Sequence, residues 1–133
     1  MSTQAKWLLS AACLSLLVAT IAGAVGSHAL SFADAQALRS FETAVHFQFF
    51  HGLGAIAAAL VGLAGRGGKL RALAAWLMLL GIVLFCGSIY ARVLGALGGI
   101  VSAAPYGGVA FMVAWVLFAA SVWLRGDEPK ASA

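Results

Sequence analysis

The residues of this chain that could do chemistry gather at His28 and in the segment Phe41–Leu53, which reads FETAVHFQFFHGL and holds the other two of its three histidines. Imidazole can carry a proton or ligate a metal near neutral pH. On a helix, Glu42 and His46 are four apart and share a face. Gln48 and His51 are three apart and share another, roughly opposite. One helix alone therefore cannot bring the four together. A carboxylate beside a histidine can handle protons or bind a metal, but no HExxH motif and no second nearby acid accompanies this pair. The sequence assigns no metal ligand, no cofactor and no catalytic residue. No GxSxG supports a nucleophile. Gly65–Arg71 matches a phosphate loop only in glycine content, and its basic residues suit a cytoplasmic turn facing anionic headgroups.

The elements that must position these residues are membrane spans. The chain is 63% hydrophobic and 9% charged, against about 25% charged in a soluble domain. Its mean hydropathy is +1.02. Four windows carry no charged residue: Trp7–Ser27, Thr43–Gly65, Ala72–Ala91 and Tyr106–Leu124. A helix needs roughly 20 apolar residues to cross about 30 Å of hydrocarbon. The expected fold is an all-α membrane protein, a single domain of four transmembrane helices in a compact bundle. The short loops leave no room for a separate soluble catalytic domain. The basic residues at span ends read as topology signals rather than a nucleic-acid surface.

The first span has features of a signal peptide: Lys6 precedes it, and Ala22, Gly23 and Ala24 resemble a cleavage site. Its apolar run is longer than the usual 7–15 residues, and Ser15, Ala19, Gly23 and Ser27 form a small-residue stripe suited to close helix packing. Both features favour a retained span. Ser31 and Asp34 fit a capping box. The segment they start, Phe32–Phe41, is either a short interfacial helix or the outer extension of span two. Gly95–Ala104 reads as an uncharged loop at, or dipping into, the interface, with Pro105 in the first turn of span four. The tail from Arg125 is polar and is expected to be disordered.

Orientation follows from the basic residues. Lys6, Arg66, Lys69, Arg71, Arg125 and Lys130 fall on one side of the four spans, and only Arg39 and Arg92 on the other. That asymmetry places both termini in the cytoplasm. Trp7, Trp76 and Trp123 then fall near the cytoplasmic boundary, and Tyr90 and Tyr106 near the outer one. His51 lies nine residues beyond Glu42, about 13 Å deeper on a helix and near the bilayer midplane, where an ionisable group is a functional hypothesis. The plainer reading is a neutral imidazole bonded to a neighbouring helix. Cys13 and Cys86 read as small buried apolar residues, and Phe47, Phe49 and Phe50 as packing or lipid-facing.

Four segments in order, Gly23–Leu30 (GAVGSHAL), Phe41–Leu53, Leu84–Tyr90 (LFCGSIY) and Pro105–Trp115 (PYGGVAFMVAW), resemble the small bacterial inner-membrane family of unknown function typified by YgdD and YwdK. The resemblance covers nearly the whole chain and is specific in combination. It implies four helices in the cytoplasmic membrane and no particular reaction. His28, Glu42, Gln48, His51, Gly87, Ser88, Tyr90, Pro105, Gly107 and Gly108 match its recurring pattern. Ser27, His46 and Cys86 depart from it, which weakens any mechanism that needs His46. Topology gathers His28, Glu42, Gln48, His51, Ser88 and Tyr90 into an expected outer-face polar cluster, with His51 deepest.

Three functions fit these residues. The favoured one is a non-enzymatic accessory or packing protein of the inner membrane, with the lipid bilayer, a homo-oligomer or another membrane protein as partner and no nucleic acid. The alternative is an oligomeric proton or small-solute transporter or channel using His51 and Glu42. The third is a histidine-ligated metal or haem redox protein.

Overall fold

The computed structural model describes residues 1–63, 68–95 and 103–124. Four of its helices are long and apolar enough to cross a membrane: α1 Thr3–His28, α2 Ala35–Leu63, α3 Gly68–Val93 and α4 Ala104–Trp123. Most of the basic turn at 64–67, the loop at 96–102 and the tail at 125–133 lie outside the described residues, and with them the expectations for a dipping loop and a disordered tail.

Each helix begins before its charge-free window, because a backbone that needs internal hydrogen bonds in hydrocarbon stays helical into the headgroup layer. The caps set the starts. Ser2 accepts a bond from the Ala5 amide at 3.2 Å, and Asp34 Oδ1 accepts one from the Ala37 amide at 2.8 Å. The cap of α2 is thus Asp34 rather than Ser31: an ionised carboxylate satisfies a free amide and also complements the helix dipole. From Ala35 onward the Phe32–Phe41 segment is continuous with α2, so it is the outer extension of that span and not a separate surface helix.

α2 is the centre of the bundle, with half of its spanning window buried. It packs against α1 on one side and α3 on another, and α4 packs chiefly against α3. The core is built from small residues. Ala12, Ala55, Ala58, Ala59, Ala75 and Ala114 surround Met78. Between apolar helices in lipid there is little hydrophobic gain, and close backbone approach with good packing drives association instead. The α1 stripe follows this rule in part: Ala19 is buried and Gly23 lies against Val45, while Ser27 is exposed at the edge. Cys86 is buried, but Cys13 is exposed on the protein surface, contrary to the sequence expectation. A Cys is apolar enough for a lipid-facing position, so its type does not say which face of a span it occupies.

The tightest crossing joins α3 to α4. A methyl group added at Gly107 would come 2.5 Å from the Phe85 amide nitrogen, and one at Gly81 would meet the Phe111 ring at the same distance. The two glycines let these backbones touch. At this level α3 widens into a π-turn over Ile82–Cys86, an added residue that resets the face α3 presents beyond it.

Candidate functional site

The buried polar groups form two separate knots, one near the bundle's middle and one at the end that holds Arg71. In the first, the Gln48 side chain, 3% exposed, is bonded on both sides. Its Nε2 donates to the Ser15 carbonyl at 2.9 Å and reaches the Ser15 hydroxyl at 3.3 Å. Its Oε1 accepts from the Tyr90 hydroxyl at 2.7 Å. One carboxamide thus ties α1, α2 and α3 together. In hydrocarbon an unsatisfied amide costs several kcal/mol, so the knot fixes the rotation of three helices at once. Tyr90, read from sequence as a boundary residue, is half-buried and turned inward. Its ring also lies 5.2 Å from that of Phe41.

His51, 6% exposed, is one turn beyond Gln48 but faces a different neighbour. Its ring stacks on Phe111 of α4 at 3.5 Å between centroids and 17° between planes. Its Nδ1 lies 2.7 Å from the Phe47 carbonyl; that contact needs a proton on Nδ1 and leaves Nε2 as the free acceptor of the neutral ring. Phe47 stacks in turn on Phe85 of the π-turn at 5.0 Å. The histidine therefore sits in an aromatic nest, not on the polar knot.

The second knot is one the sequence did not reveal. Arg71 is 2% exposed. Its Nε donates to the Ser121 hydroxyl at 2.9 Å and its Nη2 to the Ser121 carbonyl at 2.9 Å. Its Nη1 donates to the Val61 carbonyl at 3.2 Å. The planar fork joins the ends of α2 and α4 to the start of α3. Arg71 is thus a helix clamp, rather than a loop residue facing headgroups. Its place in a run of basic residues marked the turn correctly, but nothing local in the sequence couples it to Ser121. Ser15 likewise carried no signal beyond its place in the small-residue stripe.

The remaining candidates stay apart. His28 ends α1 and is exposed, where a basic group complements the helix C-terminus. Ser88 donates within its own helix, to the Phe85 carbonyl at 3.0 Å. Glu42 and His46 are both exposed and line one cleft with Ser27 and Phe41. Of the six residues of the expected cluster, hydrogen bonding joins only Gln48 and Tyr90. The rotation of α2 explains the split: the Gln48–His51 face points into the bundle and the Glu42–His46 face points out. Among the described residues no three His, Cys, Asp or Glu side chains come close enough to share a metal ion.

Comparison with known proteins places these features in context. Residues 22–108 match the model of a family described as protein of unknown function (DUF423), a region that contains all six candidate residues. A UPF0382 membrane protein of Haemophilus influenzae is 38% identical over 98 residues, covering 73% of this chain and 77% of that one. The UPF0382 membrane protein YwdK of Bacillus subtilis is 34% identical over 108 residues, covering 78% and 85%. No solved structure matches.

Proposed function

The chain belongs to the DUF423 family of membrane proteins, and from that premise we propose that it is a non-enzymatic protein of the cytoplasmic membrane that serves an accessory or packing role. Both termini face the cytoplasm in this reading, which the excess of Lys and Arg on that side supports. The observation that carries the role is the state of the buried polar groups. Gln48 is bonded to Ser15 and Tyr90, and Arg71 to Ser121 and Val61. These bonds hold helices to one another. A conduction path needs polar groups that can exchange partners along its length.

The alternative is an oligomeric proton or small-solute transporter using His51 and Glu42. One observation favours it: among the described residues His51 is bonded through Nδ1, and its Nε2, which is not a buried orphan, stays open to a proton or solute. Reconstitution separates the two readings. Proteoliposomes loaded with a pH-sensitive dye should acidify no faster than protein-free vesicles under an imposed gradient. Proton flux above that level, lost in His51→Ala, would replace the accessory role with transport.

A further inference from the structure

At the end of the bundle that holds His28, α1 and α2 part around a cleft of about 500 Å³, within the roughly 300–1,000 Å³ of small-ligand sites. Its α1 wall is made of Gly23, Gly26 and Ser27, with Gly26 close against the Phe41 ring. Glu42 and His46 face it from α2. Among the described residues Glu42 has neither an ion pair nor a hydrogen bond, although Arg39 is only one turn away. Every other acidic or amide side chain described on α2 or at its cap is either bonded, as Gln48 and Asp34 are, or, like Gln36, lies fully at the exposed helix start.

The depth of the cleft narrows what it can hold. Glu42 stands 21 residues above Leu63 along α2, about 32 Å at 1.5 Å per residue. That is just over one hydrocarbon thickness of about 30 Å, so Glu42 lies at headgroup level. Below it the cleft ends at buried Val45, beside His46. Phe32, partly exposed and 5.3 Å from the ring of buried Phe41, adds a π face that attracts a cation. A carboxylate selects positive charge, an aromatic ring favours an organic cation, and the apolar side chains Leu30, Leu38 and Val45 along the cleft favour an acyl chain. His46, one turn from the carboxylate in the same lining, can donate a hydrogen bond to a phosphate.

We infer that this cleft is a binding site for an aminophospholipid, with the primary ammonium on Glu42, the phosphate toward His46 and an acyl chain running along Leu30, Leu38 and Val45. Phosphatidylethanolamine has that combination, whereas phosphatidylglycerol offers Glu42 no cation. The inference goes beyond the accessory role and stands whether or not the bundle moves protons.

Native mass spectrometry of the full chain, released from detergent with equimolar phosphatidylethanolamine and phosphatidylglycerol, tests it. Phosphatidylethanolamine should be retained about fivefold over phosphatidylglycerol, and Glu42→Gln should bring the two to parity. Fivefold corresponds to about 1 kcal/mol at 1.4 kcal/mol per tenfold, the upper range of an exposed ion pair. Ser27→Phe, which fills the cleft from its exposed edge, should remove the preference as well. Glu42 and Ser27 are both exposed, so each variant keeps the core and its melting temperature reports that it has folded. Equal retention of the two lipids by the unmodified protein, or a preference that survives both substitutions, would overturn the assignment. Displacement of the lipid by millimolar free phosphoethanolamine would also overturn it, in favour of a soluble amine as the occupant.

Discussion

Gly107→Ala should force α4 away from α3, and its neighbour Gly108→Ala should not. A methyl group at Gly107 would lie 2.5 Å from the Phe85 nitrogen, 2.7 Å from Phe85 Cβ and 2.9 Å from the Gly81 carbonyl, where ordinary contact starts at 3.4 Å. Two of those atoms are backbone, so no side-chain rotation relieves the clash and the helices must separate by about 1 Å at the 3.5–4.0 Å optimum for carbon contacts. That movement also loosens the stack of His51 on Phe111 and the contact of Phe85 with Phe111. Overpacking of this kind costs about 1–3 kcal/mol, offset by about 1 kcal/mol from the better helix propensity of alanine. The net expectation is a loss of up to about 2 kcal/mol. At Gly108 nothing lies within 4 Å of the added methyl, so only the propensity gain remains and the protein should be unchanged or up to about 1 kcal/mol more stable. Unfolding by SDS titration in mixed micelles, followed by circular dichroism, measures both. If Gly107→Ala is as stable as Gly108→Ala, the close α3–α4 crossing is not how these helices pack.

Further expectations follow from the two knots and the topology. Tyr90→Phe and Gln48→Leu should show a coupling of about 0.6 kcal/mol in a double-mutant cycle, and at most about 1.7 kcal/mol, as for other membrane hydrogen bonds; additive effects would mean the bond does not form. Arg71→Lys keeps the charge but loses the fork onto Ser121 and Val61, and should destabilise by about 2 kcal/mol given 1.5–3 kcal/mol per charged hydrogen bond. A loss smaller than that of Lys69→Arg, a change at an exposed site, would refute the clamp. Alkaline phosphatase fused at the C-terminus should be inactive and green fluorescent protein there should fluoresce; the opposite pair of results would reverse the proposed orientation. Detergent-purified protein should carry no stoichiometric metal or haem, and a stoichiometric group lost in the Glu42→Ala, His51→Ala double variant would make this a cofactor protein.

The site was only partly legible in the sequence. The helical spacing of Glu42, His46, Gln48 and His51 already separated them into two faces, and the structure keeps that separation. Which face turns inward had no local signal, because α2 carries phenylalanine and alanine all round. The same gap hid Arg71. A run of basic residues marks a turn whether each side chain points to water or, like Arg71, folds back onto Ser121. Cys13 shows the reverse error: a small residue in a span need not be interior.

What the sequence determines by itself is the solvent of each segment. Hydrophobic length is a property along one dimension, and four charge-free stretches of bilayer length suffice to make four spans. The asymmetry of Lys and Arg is equally linear. The rotation of each helix about its axis is decided only in three dimensions. In water a helix shows its buried face through the contrast between polar and apolar residues. Lipid removes that contrast, since acyl chains are as apolar as leucine. Packing then rests on where backbones can approach, at Gly81 and Gly107, and on where a buried carboxamide or guanidinium can meet its partners, at Gln48 and Arg71. Those meetings join residues 33 and 50 positions apart, and no local pattern records them.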